Sequence, residues 1–271
     1  MTAVSGHNYK SHVFQLRRQK MQINGIVFDK DGTLLRFCET WNVWCEQVIT
    51  ELAKGDVVLR GAIAQAIDYD LNTCSFRPES IVIAGTTREI SQTIVSLIPD
   101  MAVAELEAFL NTKSTTAPLA EVTPLKAFLN GLTRSGFKIG VVTNDSEESA
   151  VSQLKQIDVL NELNFIAGYD SGFGAKPSSG PLLAFAKAVS LPPETIAMVG
   201  DSLHDMVAGR RAGMKTIAVL TGLADRNELA SHADVILEDI TKIPAYLGLN
   251  DLAKVISVSY THLRAHETLD H

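Results

Sequence analysis

The rhythm of apolar and polar positions changes three times along the chain. Residues 23–33, Ile23-Asn24-Gly25-Ile26-Val27-Phe28-Asp29-Lys30-Asp31-Gly32-Thr33, begin with a short β-branched run that stops at two carboxylates two positions apart. Such a run predicts a buried parallel strand. Gly32 lets the chain turn away from the sheet. From Phe37 the spacing becomes three and four: Phe37, Trp41, Trp44, Cys45, Val48, Ile49 and Leu52 form one helical face. Trp41 and Trp44 are read as core anchors between helices rather than ligand contacts. More helical pattern covers 60–69, 87–97 and 103–110, with breaks at Gly55, Arg77-Pro78, Gly85 and Pro99-Asp100. No strand with clean alternation occurs between Phe37 and Ala117. Residues 37–118 therefore predict an all-helical insertion of about 80 residues, the size of a small domain. Ser114-Thr115-Thr116-Ala117-Pro118 is its return linker.

From Glu121 helix and strand alternate. Thr123-Pro124 opens a helix with cap and first-turn chemistry, and Gly136 follows its end. Strands are predicted at 138–143, 164–167, 195–200 and 216–220, with a weaker one at 235–237. Helices are predicted at 147–156, 181–189 and from Asp201-Ser202 through Arg211. Alternation of this kind gives a parallel sheet with right-handed crossovers. The fold class is α/β: a Rossmann-like, three-layer α/β/α core over 21–36 and 119–250, interrupted by the helical insertion.

Composition narrows the picture. The net charge of −7 over 271 residues argues against a general nucleic-acid binder. Cys38, Cys45 and Cys74 lack metal-ligand spacing and read as reduced thiols of a cytoplasmic protein. No apolar run reaches the roughly 20 residues of a membrane span. Residues 1–20 carry Lys10, Arg17, Arg18 and Lys20 and no acid. This acid-poor leader is compatible with an organelle address, but a disordered extension or a start codon upstream of Met21 fits it better. Residues 251–271 fit nothing before them. His262, His266 and His271 invite a metal reading, yet the run 258–268 resembles a translated sequencing-adapter read-through, so both ends are set aside as disordered or non-native.

Polar groups gather at the predicted strand ends: Asp29 and Asp31; Thr143 and Asn144; Lys176 on a glycine-rich loop; Asp201 and Asp205. In a parallel sheet these ends share one edge. Carboxylates, a hydroxyl, an amide and one lysine suit a divalent cation such as Mg2+ together with a phosphate. Pro177 keeps Lys176 out of helical geometry.

The ordered set Asp29-x-Asp31-Gly32-Thr33, Thr143-Asn144, Lys176-Pro177 and Gly200-Asp201-Ser202-x-x-Asp205 resembles the haloacid dehalogenase-like (HAD) superfamily. It is most similar to the phosphoglycolate phosphatase-like branch with a helical cap, over residues 22–249. The resemblance implies that Asp29 is the nucleophile, giving an aspartyl-phosphate. It implies that Asp31 is the general acid and then the base. Mg2+ would be held by Asp29, Asp201 and the backbone carbonyl of Asp31. Thr143, Asn144 and Lys176 would bind phosphate. Asp205 would support the metal or Lys176, and Ser202 either supports the site or caps a helix. Dehalogenases and phosphonatases of the superfamily lack the counterpart of Asp31, so phosphate-ester chemistry is favoured. The segment between Asn144 and Lys176 is too short for the other cap type. Arg77, Thr86, Thr87 and Arg88 lie near predicted cap loops, where an arginine would suit a carboxylate or sugar phosphate.

Three functions follow as alternatives. The first is a Mg2+-dependent phosphatase for a small phosphorylated metabolite, phosphoglycolate-like or a sugar phosphate, acting as monomer or homodimer. The second is a mutase of the β-phosphoglucomutase type. The third is a non-catalytic binding module that keeps the fold.

Overall fold

Three apolar side chains in succession, Ile26, Val27 and Phe28, can be buried only if both faces of their strand are covered. The computed structural model of the protein describes residues 23–254 and Ile256, and it covers them on both faces. Strand β1 (Gly25–Phe28) is followed by an insertion containing α1 (Phe37–Ala53), α2 (Val57–Ala66), β2 (Tyr69–Asp70), β3 (Ser75–Phe76), α3 (Thr87–Ile94) and α4 (Val103–Ser114). The chain then runs α5 (Leu125–Arg134), β4 (Lys138–Val142), α6 (Glu147–Gln156), β5 (Phe165–Ala167), α7 (Gly180–Ala188), β6 (Ile196–Gly200), α8 (Leu203–Ala212), β7 (Lys215–Val219), α9 (Arg226–Ala230), β8 (Val235–Leu237) and α10 (Ile243–Tyr246).

Six strands form one parallel sheet in the order β5-β4-β1-β6-β7-β8. Ile26 and Phe28 pack on the side of α5, with Leu125, Phe128, Leu129 and Leu132. Val27 faces the opposite layer, with Leu182 and Phe185 of α7 and Ala208 of α8. The two-residue alternation of a strand thus divides three apolar residues between two helical layers. Replacing a side chain such as Phe28 by alanine would cost about 3–5 kcal/mol at a site this closely packed. β1 lies between β4 and β6, where the strand order reverses, so a crevice opens beyond its carboxyl end.

The insertion has its own apolar cluster, built on the face expected from the sequence: Phe37, Trp41, Trp44, Cys45, Val48, Ile49 and Leu52 are all buried. It is not wholly helical. Tyr69 and Phe76 pair across a two-residue antiparallel ladder and stack edge-on, with centroids 5.0 Å apart. Strands that short leave no period for a sequence reading to detect. α2 begins at Val57, three residues before the expected start, because Asp56 accepts hydrogen bonds from the amides of Val58 and Leu59. The insertion leaves and rejoins the core through paired backbone: Val122 N donates to Leu34 O and Arg36 N to Ala120 O.

The expected end of the core at residue 250 falls inside a helical run over 250–254. Leu252 and Ile256 pack against the main core, so residues 251–254 and 256 are part of the fold. Residues 1–22, 255 and 257–271, including the three histidines, lie outside the described residues. Cys38 and Cys74 are exposed free thiols and Cys45 is a buried one. Among the described residues no helix is long and apolar enough to cross a membrane.

Candidate active site

Each side chain expected at the sheet edge owes its position to a strand end. Asp29 follows β1, and its amide donates to Val199 O, which extends the ladder by one residue. Thr143 follows β4, Asp201 follows β6, and Asp205 sits in the first turn of α8. Lys176 comes from the loop after β5, and its bond to Pro177 is cis. The structure brings these groups together. Lys176 Nζ donates to Asp29 Oδ1 at 2.5 Å and to Asp205 Oδ1 at 2.6 Å. Asp29, Asp201 and Asp205 each offer a carboxylate oxygen within 4.8 Å of the others. Thr33 Oγ1 donates to Asp201 Oδ1 at 3.3 Å.

The remaining polar groups are arranged around this cluster. Asn144 is a clamp: its Nδ2 donates to Lys176 O at 2.9 Å and Ala84 O at 2.8 Å, and its Oδ1 accepts from Lys176 N at 2.9 Å. It holds the lysine loop and the insertion together, and both of its side-chain polar atoms are occupied. Ser202 donates from Oγ to Asp205 Oδ2 at 2.7 Å, and Asp205 Oδ2 also accepts the Ser202 amide. Thr143 Oγ1 accepts from the Asp145 amide at 3.1 Å. Its hydroxyl hydrogen remains free to donate into the cleft, which Thr143 lines.

Sequence reasoning missed an inner network. Lys30 is fully buried. Its Nζ lies 2.7 Å from Asp31 Oδ2 and 3.1 Å from Asp145 Oδ2, and it donates to Gln153 Oε1 at 2.5 Å. Asp31 Oδ1 is buried with no partner in the described protein. The alternation Ile26, Phe28, Lys30 continues one face past the strand end, and that is the signal that could have identified Lys30 as buried.

Burial dominates the electrostatics. It pushes Asp29 up to about 7, Lys176 pulls back against it, and Asp205 and Asp31 add to the rise. Asp201 is raised well above the carboxylate range by burial, with Asp29 and Asp205 adding. For Lys176, burial favours the neutral amine, but the Asp205 and Asp29 carboxylates outweigh it and the value rises. Burial also lowers His204 below its ordinary value. Three buried carboxylates sharing one ammonium are short of positive charge. An all-oxygen donor set with an unspent carboxylate is what a hard divalent cation takes. Gly32 and Gly222 press against Asp201 so closely that a Cβ at either would overlap its carboxylate. Gly32 also has a φ of 79°, which favours glycine.

The insertion roofs this cluster. The upper wall of the cleft between them includes Phe37, Trp41, Trp44 and Thr87. The two tryptophans, expected only as core anchors, serve both as packing and as wall. Arg77 and Arg88 are not part of the wall. Their side chains are 62% and 65% exposed and face Asp70 and Glu107 at 3.9 Å, so the expected specificity role is not supported for either. Thr86 caps α3 in a reciprocal box with Glu89.

A family model described as haloacid dehalogenase-like hydrolase matches residues 26–219. Pyrophosphatase PpaX of Anoxybacillus flavithermus is 26% identical over 230 residues, covering 84% of this chain and 99% of that protein. A phosphoglycolate phosphatase of Chromobacterium violaceum is 37% identical over 103 residues, or 38% of this chain and 46% of that protein. The matched stretch is thus about half of that relative. The crystal structure of CbbY from Rhodobacter sphaeroides, in complex with phosphate, superposes with a TM-score of 0.62 at 18% identity, covering 80% of this chain and 94% of that one.

Proposed function

The chain belongs to the haloacid dehalogenase-like hydrolase family, and on that premise we propose that it is a Mg2+-dependent phosphatase that hydrolyses a small phosphorylated metabolite through an aspartyl-phosphate. The observation that carries this reading is the Lys176 ammonium held between Asp29 and Asp205, with Asp201 beside them. Relatives named for pyrophosphatase and phosphoglycolate phosphatase activity support phosphate release as the reaction.

In the first step a carboxylate oxygen of Asp29 bonds to phosphorus as the ester P–O bond breaks. Asp31, through its unpaired Oδ1, gives the departing oxygen its proton. In the second step Asp31 takes a proton from water, the water oxygen bonds to phosphorus, and Asp29 is released. Lys176 and the Thr143 hydroxyl bind the phosphoryl oxygens, and Asn144 positions Lys176 through its backbone. Asp205 and Ser202 fix the other side of the ammonium. The carboxylates of Asp29 and Asp201 and the carbonyl of Asp31 would hold Mg2+, which when bound supplies the positive charge the acids lack. The insertion excludes water from the covalent step.

The test uses a panel of an aryl phosphate, phosphoglycolate, pyrophosphate and sugar phosphates. Phosphate release is expected with Mg2+, lost on chelation and restored by Mg2+ alone. Asp29→Asn should reduce turnover to the level of buffer. Isomerised sugar phosphate without free phosphate would identify a mutase instead, and turnover equal to buffer across the panel would identify a non-catalytic fold.

A further inference from the structure

The wall facing the carboxylates tells what leaves with the ester oxygen. It is built from Phe37, Trp41 and Trp44 of α1, Val82 and Ile83 of the loop between β3 and α3, and Ile90 of α3. The cleft has one lysine, Lys176, already shared by two carboxylates, and its other basic side chain, His204, belongs to the core side. Among the described residues, no arginine lines it. Both indole rings are more than nine-tenths buried. They meet edge-on with centroids 5.0 Å apart. Of the polar side chains on this wall, Thr87 contributes one neutral hydroxyl, and Ser114 is already engaged, its Oγ donating to Asn111 O.

We propose that the substrate is a phosphate monoester whose leaving group is uncharged and largely apolar. The proposal rests on the phosphatase reading above and specifies its substrate. A leaving group with a second phosphate or a carboxylate would lose its hydration against six apolar residues with no cation to replace it. It would also stand near the carboxylates of Asp31 and Asp145, which line the same cleft. A neutral ring or branched chain instead gains from burial and from edge or face contact with the aromatic residues.

Two measurements on the full chain with Mg2+ test this. The first compares kcat/KM for benzyl phosphate and phosphoglycolate, both of which have an alkyl leaving oxygen. At least a tenfold preference for the benzyl ester is expected. Equal or reversed preference overturns the proposal. The second is independent of turnover. The chain has two tryptophans, so intrinsic indole fluorescence reports on this wall alone. Benzylphosphonate should quench or shift it at concentrations about tenfold lower than phosphonoacetate. That preference without hydrolysis of any ester would sink the phosphatase reading and leave the binding class standing. Tighter phosphonoacetate binding would sink the binding class whatever the turnover.

Discussion

Lys30 is flanked by the two aspartates of the Asp-x-Asp pair, yet it does not line the cleft. Its ammonium is out of solvent, paired with Asp31 and Asp145, and lies 5.4 Å from the Trp41 ring centroid. Burial favours its neutral form, but the two carboxylates outweigh burial and raise its value. Removing one partner from a buried ionic cluster strands the others, at a cost of about 3–5 kcal/mol. Lys30→Met should lose that much stability in urea unfolding; a loss below about 1 kcal/mol would mean that the cluster is not closed as described. Gly222 acts at the same scale through size. A methyl group there overlaps Asp201, so Gly222→Ala should weaken the activating Mg2+ affinity about 10–100-fold, as disturbing a ligand's support does, with the circular dichroism unchanged. Asp29, Asp31, Thr143, Lys176, Asp201 and Asp205 were legible because each stands at or near a strand end beside turn residues. Lys30, Asp145 and Gly222 were not: a lysine after a strand is ordinarily solvated, and Asp145 and Gly222 read as ordinary loop residues. Only the folded chain shows that Lys30 and Asp145 cluster with Asp31 and that Gly222 packs against Asp201.

At the scale of elements, the insertion is tied to the core along one edge. Gln153 Nε2 of α6 donates to Ser114 O at 2.7 Å, and Gln156 Nε2 donates to Thr115 O at 2.9 Å. Tyr169, in the loop after β5, donates to Glu107 Oε1 of α4 at 2.5 Å and accepts from Asn111 Nδ2 at 3.3 Å. A hydrogen bond to a charged acceptor contributes about 1.5–3 kcal/mol. Tyr169→Phe should therefore loosen α4, with faster amide exchange in 103–114 and little change in the central strands. Uniform acceleration across the sheet would show instead that insertion and core open as one unit. The helices on both sides of this seam were readable from their periodicity. The seam was not, because Gln153, Gln156 and Tyr169 carry no pattern until α4 and α6 lie side by side. The β2–β3 ladder escaped for a related reason: two residues per strand define no alternation.

For the whole molecule, the formal charge of −7 matters most where solvent cannot screen it. The unfolded chain ionises Asp29 near 3.8, whereas burial holds it at about 7 in the metal-free fold, and Asp201 shifts the same way. Between those values the folded protein binds more protons than the unfolded chain, so stability falls as pH rises through the window. Above about 7 the full penalty is present; below about 4 it is absent. A divalent cation binds the ionised acids and reverses the penalty. At a hundredfold excess over its dissociation constant it adds about 2.7 kcal/mol. The rise in melting temperature on adding Mg2+, with NaCl matching ionic strength, should therefore be larger at pH 8 than at pH 5. Asp201→Asn should remove most of it at pH 8. A shift equal at both pH values, or reproduced by NaCl, would mean that the ion acts on the exposed acidic surface. The buried cluster would then have to hold its charge by protonation alone, which leaves Asp29 without the ionised oxygen that attack on phosphorus requires.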